Sequence, residues 1–177
     1  MFEKLRYRIL NKTIDQFIAD KKGCRLPDFD RLNSVILIIE DLDKQNVRAI
    51  EERIKNVFGI TRSRFIIISE KVSEDMLLSD QYCEVTTKDF GFMKVLKADK
   101  QEEIRKLPLT NMLINMAKKH IDISDFLATL PLAHFRVSFT KSSHYGIYDL
   151  ILSNEGNSNL NKDIEALYNY LQALTGK

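Results

Sequence analysis

Glycine is scarce in this chain, six residues in 177. Gly23, Gly59, Gly91, Gly146, Gly156 and Gly176 each stand alone, so no G-x-G-x-x-G turn and no Walker-type loop is present. Close backbone approach to a phosphate generally needs clustered glycine, and the usual phosphate cradle is thereby excluded. Cysteine is scarcer still. Cys24 and Cys83 are far apart, belong to no ligand-spaced cluster, and read as ordinary thiols in a reduced compartment. The three histidines, His120, His134 and His144, are too scattered for a local metal motif. His134 falls at a strand start and the other two in loops, so neither a metal nor a cofactor is expected. There is no G-x-S-x-G elbow, and neither cysteine has a neighbouring histidine. Ser142-Ser143-His144-Tyr145 has suggestive residue types but reads first as a polar turn. No apolar run approaches the ~20 residues that span a bilayer. Glu3, Lys4, Arg6 and Arg8 interrupt anything resembling a signal peptide. The expected location is the cytoplasm, with no transmembrane segment.

What is present is the composition of an ordinary globular protein, 44% apolar and 29% charged. A chain of this size buries roughly 70% of its unfolded surface on folding, so stability requires neither metal nor disulfide. Few glycines and three prolines leave no long disordered linker. Net charge is +2, which by itself calls for no polyanionic partner, but its distribution is uneven. Met1 to Arg25 holds seven basic residues against three acidic ones.

That segment has helical periodicity. Phe2, Leu5, Ile9, Ile14, Phe17 and Ile18 form one stripe, and Lys4, Arg8, Lys12 and Lys22 lie largely off it. Gly23 suits the C-cap. Ser34 to Ile39 is a continuous apolar run rich in β-branched residues, the pattern of a strand buried on both faces in a parallel sheet. Asp41 or Asp43 caps a helix whose apolar face is Val47, Ile50, Ile54, Val57 and Phe58, and Gly59 ends it. Arg64 to Ser69 is a second buried strand, completing a βαβ unit.

The middle is less regular. A helical turn is expected at Glu74 to Leu78, a short strand at Tyr82 to Thr86, irregular chain at Asp89 to Leu96, and a polar helix at Asp99 to Lys106 stopped by Pro108. Strands follow at Asn111 to Met116, His134 to Phe139 and Tyr148 to Leu152, the last at an edge. A helix lined by Ile123, Phe126, Leu127 and Leu130 ends at Pro131. A final helix runs from about Asn159 to Leu174, with Leu160, Ile164, Leu167, Tyr168 and Leu171 inward. This alternation predicts an α/β, Rossmann-like fold: a mainly parallel open sheet with helices on both faces, preceded by an amphipathic N-terminal helix. Residues 1–24 are assigned to that basic helix and 25–177 to a single α/β domain.

From Leu109 to Phe139 the chain reads LTNMLINMAKKHIDISDFLATLPLAHFRVSF. With Tyr148 to Ile151 and the last helix, this resembles an uncharacterised family of small proteins from Bacteroidetes. The resemblance implies an intracellular Rossmann-like domain and brings no known activity. The same passage is similar to the N-terminal half of heptosyltransferase-type glycosyltransferases, which often read "DLLIDL … A–RIGF" here. Asn115 stands where those enzymes carry an acidic residue, and Ser138 where they carry glycine. Glycosyl transfer in that fold also needs a second domain, so this likeness implies the fold rather than the reaction.

In open parallel sheets, ligands sit beyond the carboxyl ends of the strands. Here those ends carry Glu40 and Asp41, Ser69 and Lys71, Asn115, Lys118 and Lys119, then Thr140, Lys141 and Ser142. Asn115, Lys118, Lys119, Lys141 and Ser142 make a basic, hydroxyl-bearing rim suited to a small phosphate or carboxylate. Glu40, Asp41 and Asp43 suit Mg²⁺ or acid–base work, but first suit helix capping. The preferred expectation is a non-catalytic interaction or regulatory module. One alternative is a protein, or minor transferase, that binds a small anionic ligand at the rim. Another is an adaptor on RNA or a membrane surface through the basic helix, which has no interleaved aromatic platform for nucleic acid. The commonest outcome for such a helix is to pack its stripe on the domain and expose its charge; the alternative is to dock on a protein partner or homodimer mate.

Overall fold

The computed structural model describes residues 2–21, 26, 28, 31–40, 44–69, 81–91, 95–142, 144–152 and 160–175. Gly23, Cys24, Asp41, Asp43, Lys71 and the turn expected at Glu74 to Leu78 lie outside them.

Six strands form one sheet, β1 (Ser34–Glu40), β2 (Arg62–Ser69), β3 (Tyr82–Thr86), β4 (Thr110–Asn115), β5 (Ala133–Ser138) and β6 (Leu150–Ile151). Their spatial order is β3-β2-β1-β4-β5-β6, and every pairing is parallel. Parallel neighbours require crossovers: α2 (Lys44–Phe58) carries the chain from β1 to β2 and α4 (Ile121–Ala128) from β4 to β5, while α3 (Ala98–Arg105) lies between β3 and β4, which stand on opposite sides of β1 in the sheet order. The chain is framed by α1 (Phe2–Asp20) and α5 (Leu160–Thr175).

Strand β1 is buried from Val35 to Ile39 because its side chains feed two cores alternately. Val35, Leu37 and Ile39 enter the first core with Phe65, Ile67, Met112, Ile114, Phe135 and Val137. That face is closed by α2, through Val47, Ile50, Ile54 and Phe58, and by α5, through Ile164, Leu167 and Leu171. Ile36 and Ile38 enter the second core with Ile66, Ile68 and Leu113, under α1, α3 and α4. Each fully buried Ile or Leu contributes about 1.5–3 kcal/mol relative to exposure, so these central strands dominate the stabilisation. The period-3.6 stripes of α2 and α5 meet their first core as expected, and Gly59 ends α2 with φ +67°, the left-handed conformation that favours glycine.

Helix α1 packs on α4 and buries Leu10 and Ile14 in the second core. Polar contacts at its carboxyl end tie it down. Lys21 Nζ lies 2.6 Å from Asp149 Oδ1, and the Arg136 guanidinium sits 4.7 Å above the Phe17 ring. Arg8 and Lys12 remain exposed. No helix among the described residues is long and apolar enough to cross a membrane.

In the middle of the chain, the described residues are partly regular. Tyr82 to Thr86 is the edge strand β3, and Thr87–Asp89 forms a 3₁₀ turn in which Asp89 accepts from the Thr86 N–H at 2.7 Å. Phe90 and Leu96 then make an isolated antiparallel bridge, so part of the stretch expected to be irregular is paired. At the other edge, β6 is only two residues long. Tyr148, expected to begin that strand, instead lies buried with Ile147 in the loop before it.

Candidate functional site

In a sheet ordered 3-2-1-4-5-6, the chain leaves β1 and β4 in opposite lateral directions, opening a crevice at their carboxyl ends. Register sets Ile38 of β1 beside Asn115 of β4, and carries Glu40 past the end of β4. Beyond Asn115 the chain turns through Lys118 and Lys119 into α4, whose N-cap is His120. The N–H groups of this turn have no helical carbonyl to bind.

Glu40 fills that need. Its Oε2 accepts from the N–H of Lys118 at 2.9 Å and of Lys119 at 2.9 Å, and its Oε1 accepts from the N–H of His120 at 2.5 Å. Burial raises the Glu40 pKa, but donation from Lys119, Lys118 and His120, with the nearby charge of His120, outweighs it and holds the carboxyl below its ordinary value. The sequence suggested capping of the following helix by this acidic run. Glu40 instead serves α4, about eighty residues later in the chain, because β1 and β4 are neighbours.

Below this turn lies a buried polar cluster. Asn115 Nδ2 donates to Ser124 Oγ at 3.0 Å and to Tyr148 OH at 2.6 Å, and its Oδ1 accepts from the Ala117 N–H at 3.1 Å. Tyr148 OH donates to Asp125 Oδ1 at 2.8 Å, and Ser142 Oγ donates to Asp125 Oδ2 at 2.6 Å. Ser142 Oγ also accepts from the His144 N–H at 2.9 Å. Burial pushes Asp125 above its ordinary value, against donation from Ser142 and Tyr148 and the charge of His144. Burial, followed by the charge of Asp125, raises the Tyr148 phenol. Each of these side chains has its polar capacity turned inward, as buried polar groups require.

The expected rim residues therefore separate into two kinds. Asn115 and Ser142 are buried and hydrogen-bonded within the protein. Lys118, Lys119 and Lys141 are exposed, with Lys118 Nζ 3.9 Å from the buried Asp163 carboxylate. Thr140 Oγ1 donates to the Ala117 carbonyl at 2.8 Å, joining the β4 and β5 ends. Asp125 and Tyr148 were not anticipated. Asp125 directly precedes the buried apolar run Phe126-Leu127-Ala128, and its place beside that run was a legible sign of an inward polar group. Among the described residues, no group of His, Cys, Asp or Glu side chains is arranged to hold a metal ion.

Beside this cluster, Arg136 is also buried. Its guanidinium donates to the carbonyls of Ala128 at 3.1 Å, Ala133 at 2.9 Å and Pro131 at 2.9 Å, which fixes the α4–β5 turn. Burial lowers its pKa, opposed by Asp149 and Tyr148. The Arg of the Phe-Arg-Val strand is thus a structural clamp.

The six-stranded parallel sheet with helices on both faces defines a Rossmann-like α/β protein, with an amino-terminal helix packed onto it. The chain belongs to a family of unknown function, DUF6913, which matches residues 4–174. No curated protein and no solved structure is measurably similar to it.

Proposed function

We propose that this protein is a non-catalytic interaction or regulatory module of the cytoplasm, built on a Rossmann-like domain. The observation that carries this reading is the seat of Glu40. The turn into α4 offers N–H groups of the kind that receive a ligand's phosphate in doubly wound sheets. Here a carboxylate of the protein itself holds them. Asn115, Ser142, Tyr148 and Asp125 are likewise engaged with one another, which leaves them poorly placed to act on a substrate. The free, buried thiol of Cys83 suits a reduced compartment. Since Leu10, Ile14, Phe17 and Ile18 of α1 pack against its own domain, a partner would meet that helix on the side bearing Arg8 and Lys12.

The test is a titration of the ¹⁵N-labelled chain with NAD, ATP and S-adenosylmethionine, read at the amides of Lys118, Lys119 and His120. The expected result is no saturable change there for any of the three. Saturable binding that displaces Glu40 from these amides would return the crevice to the ligand-binding class and end the proposal.

A further inference from the structure

The opposite edge of the sheet carries a second polar assembly. Ser34 is in register with Arg62, and Ser34 Oγ donates to Asn111 Oδ1 at 2.9 Å. The pairs Thr110 with Ala133 and Met112 with Phe135 bracket Asn111 and His134. Arg62, Ser34, Asn111 and His134 thus form one row across β2, β1, β4 and β5, at the strands' amino ends. Arg64 lies two residues beyond Arg62 on the same face, on the order of 7 Å along the strand. With the Pro108–Leu109 segment as an apolar wall, these residues line an open cleft of about 180 Å³.

The chemistry of the lining is one-sided. It contains two guanidiniums and an imidazole and no acidic residue. Among the described residues, neither Arg62 nor Arg64 is paired with a carboxylate. Asn111 is oriented by its own hydrogen bonds. Its Oδ1 accepts from the N–H of Asn33 at 3.1 Å and of Ser34 at 3.2 Å as well as from Ser34 Oγ, so its amide NH₂ is the group left over. Forked guanidinium donors beside an amide donor match the several oxygens of a phosphate better than the two of a carboxylate. The volume lies below the roughly 300 Å³ at which sites for drug-sized ligands begin, which limits the occupant to a small molecule.

We propose that this cleft binds the phosphate group of a small phosphomonoester. The site is independent of the crevice at Glu40 and stands or falls separately from the module reading.

The test is a titration of the ¹⁵N-labelled full chain at low salt with glycerol 3-phosphate, inorganic phosphate, succinate and glycerol. Glycerol 3-phosphate and inorganic phosphate should shift the amides of Ser34, Asn111 and His134 saturably, while glycerol does not. Combined Arg62→Gln and Arg64→Gln should weaken binding at least about tenfold, a loss near 1.4 kcal/mol. Combined Lys118→Ala and Lys141→Ala should leave it unchanged. The proposal is overturned if neither phosphate compound binds, if the ester is excluded while inorganic phosphate enters, or if succinate binds as tightly. It is equally overturned if the arginine variant binds normally or if the lysine variant weakens binding. Should the double arginine variant fail to fold, Arg62→Gln alone carries the comparison, since that side chain is exposed.

Discussion

Replacing Glu40 with Gln keeps the side chain's size while removing its charge and one acceptor. The carboxylate meets the N–H of Lys118 and Lys119 through Oε2, and the N–H of Lys119 and His120 through Oε1. In the amide, the remaining oxygen serves the Lys118 side or the His120 side, and the NH₂ faces a donor. At least one charge-assisted hydrogen bond is lost, worth about 1.5–3 kcal/mol. The Lys118 and Lys119 amides are exposed, so water replaces part of what they lose, and a net cost of about 2 kcal/mol is expected. For a domain of this length that corresponds to a fall in Tm of about 4–8 °C. The pH dependence supplies a second reading. Because the folded-state pKa of Glu40 is held below its ordinary 4.5, its stabilisation is complete above the unfolded value and is lost as pH falls through the folded one. The gap between wild type and E40Q should therefore be full near neutrality and close on acidification. Urea denaturation across a pH series measures both. A variant that melts with the wild type at neutral pH, or a gap that widens in acid, would refute the assignment of Glu40 as the anchor of α4.

Three other outcomes are expected. Tyr148→Phe removes a donor from Asp125 and an acceptor from Asn115, and should cost about 1–3 kcal/mol in urea denaturation. Because the Asp125 pKa is already raised, folded protein binds its proton more readily than unfolded protein. Stability should therefore decline as pH rises from the ordinary Asp value through the folded one, more steeply in Y148F. In Gly146→Ala the new Cβ would lie 2.6 Å from Ile18 Cγ2, a branched and stiff side chain of α1. Overpacking of about 1–3 kcal/mol should loosen α1, seen as faster hydrogen exchange at Leu10 and Ile14. Burial raises the Cys83 thiol to about 12, so iodoacetamide at pH 8 should leave Cys83 unmodified in folded protein and alkylate it in urea, as peptide mapping would show.

Much of the architecture is legible in the chain because it is local. β1 and β2 announce themselves as continuous apolar runs, and only a strand buried on both faces by helices tolerates such a run. The stripes of α2 and α5 follow from their 3.6-residue period. The short edge elements were harder to read. Two residues of β6 carry no period, and the Phe90–Leu96 bridge joins residues that share no pattern.

The candidate site was the least legible part, since its partners are distant in sequence. Alternating apolar runs and amphipathic helices determined, by themselves, a parallel sheet enclosed between helices, and with it which residues end at the carboxyl edge. Only tertiary structure decided that Glu40 would be spent on the amides of Lys118 to His120, and that Asn115 and Ser142 would turn inward to Tyr148 and Asp125. It likewise decided that Arg62, Ser34, Asn111 and His134 would stand in one row. Periodicity sets the face on which a side chain emerges. Strand order and register set which charge, donor or carboxylate waits there, and those depend on contacts between residues far apart along the chain.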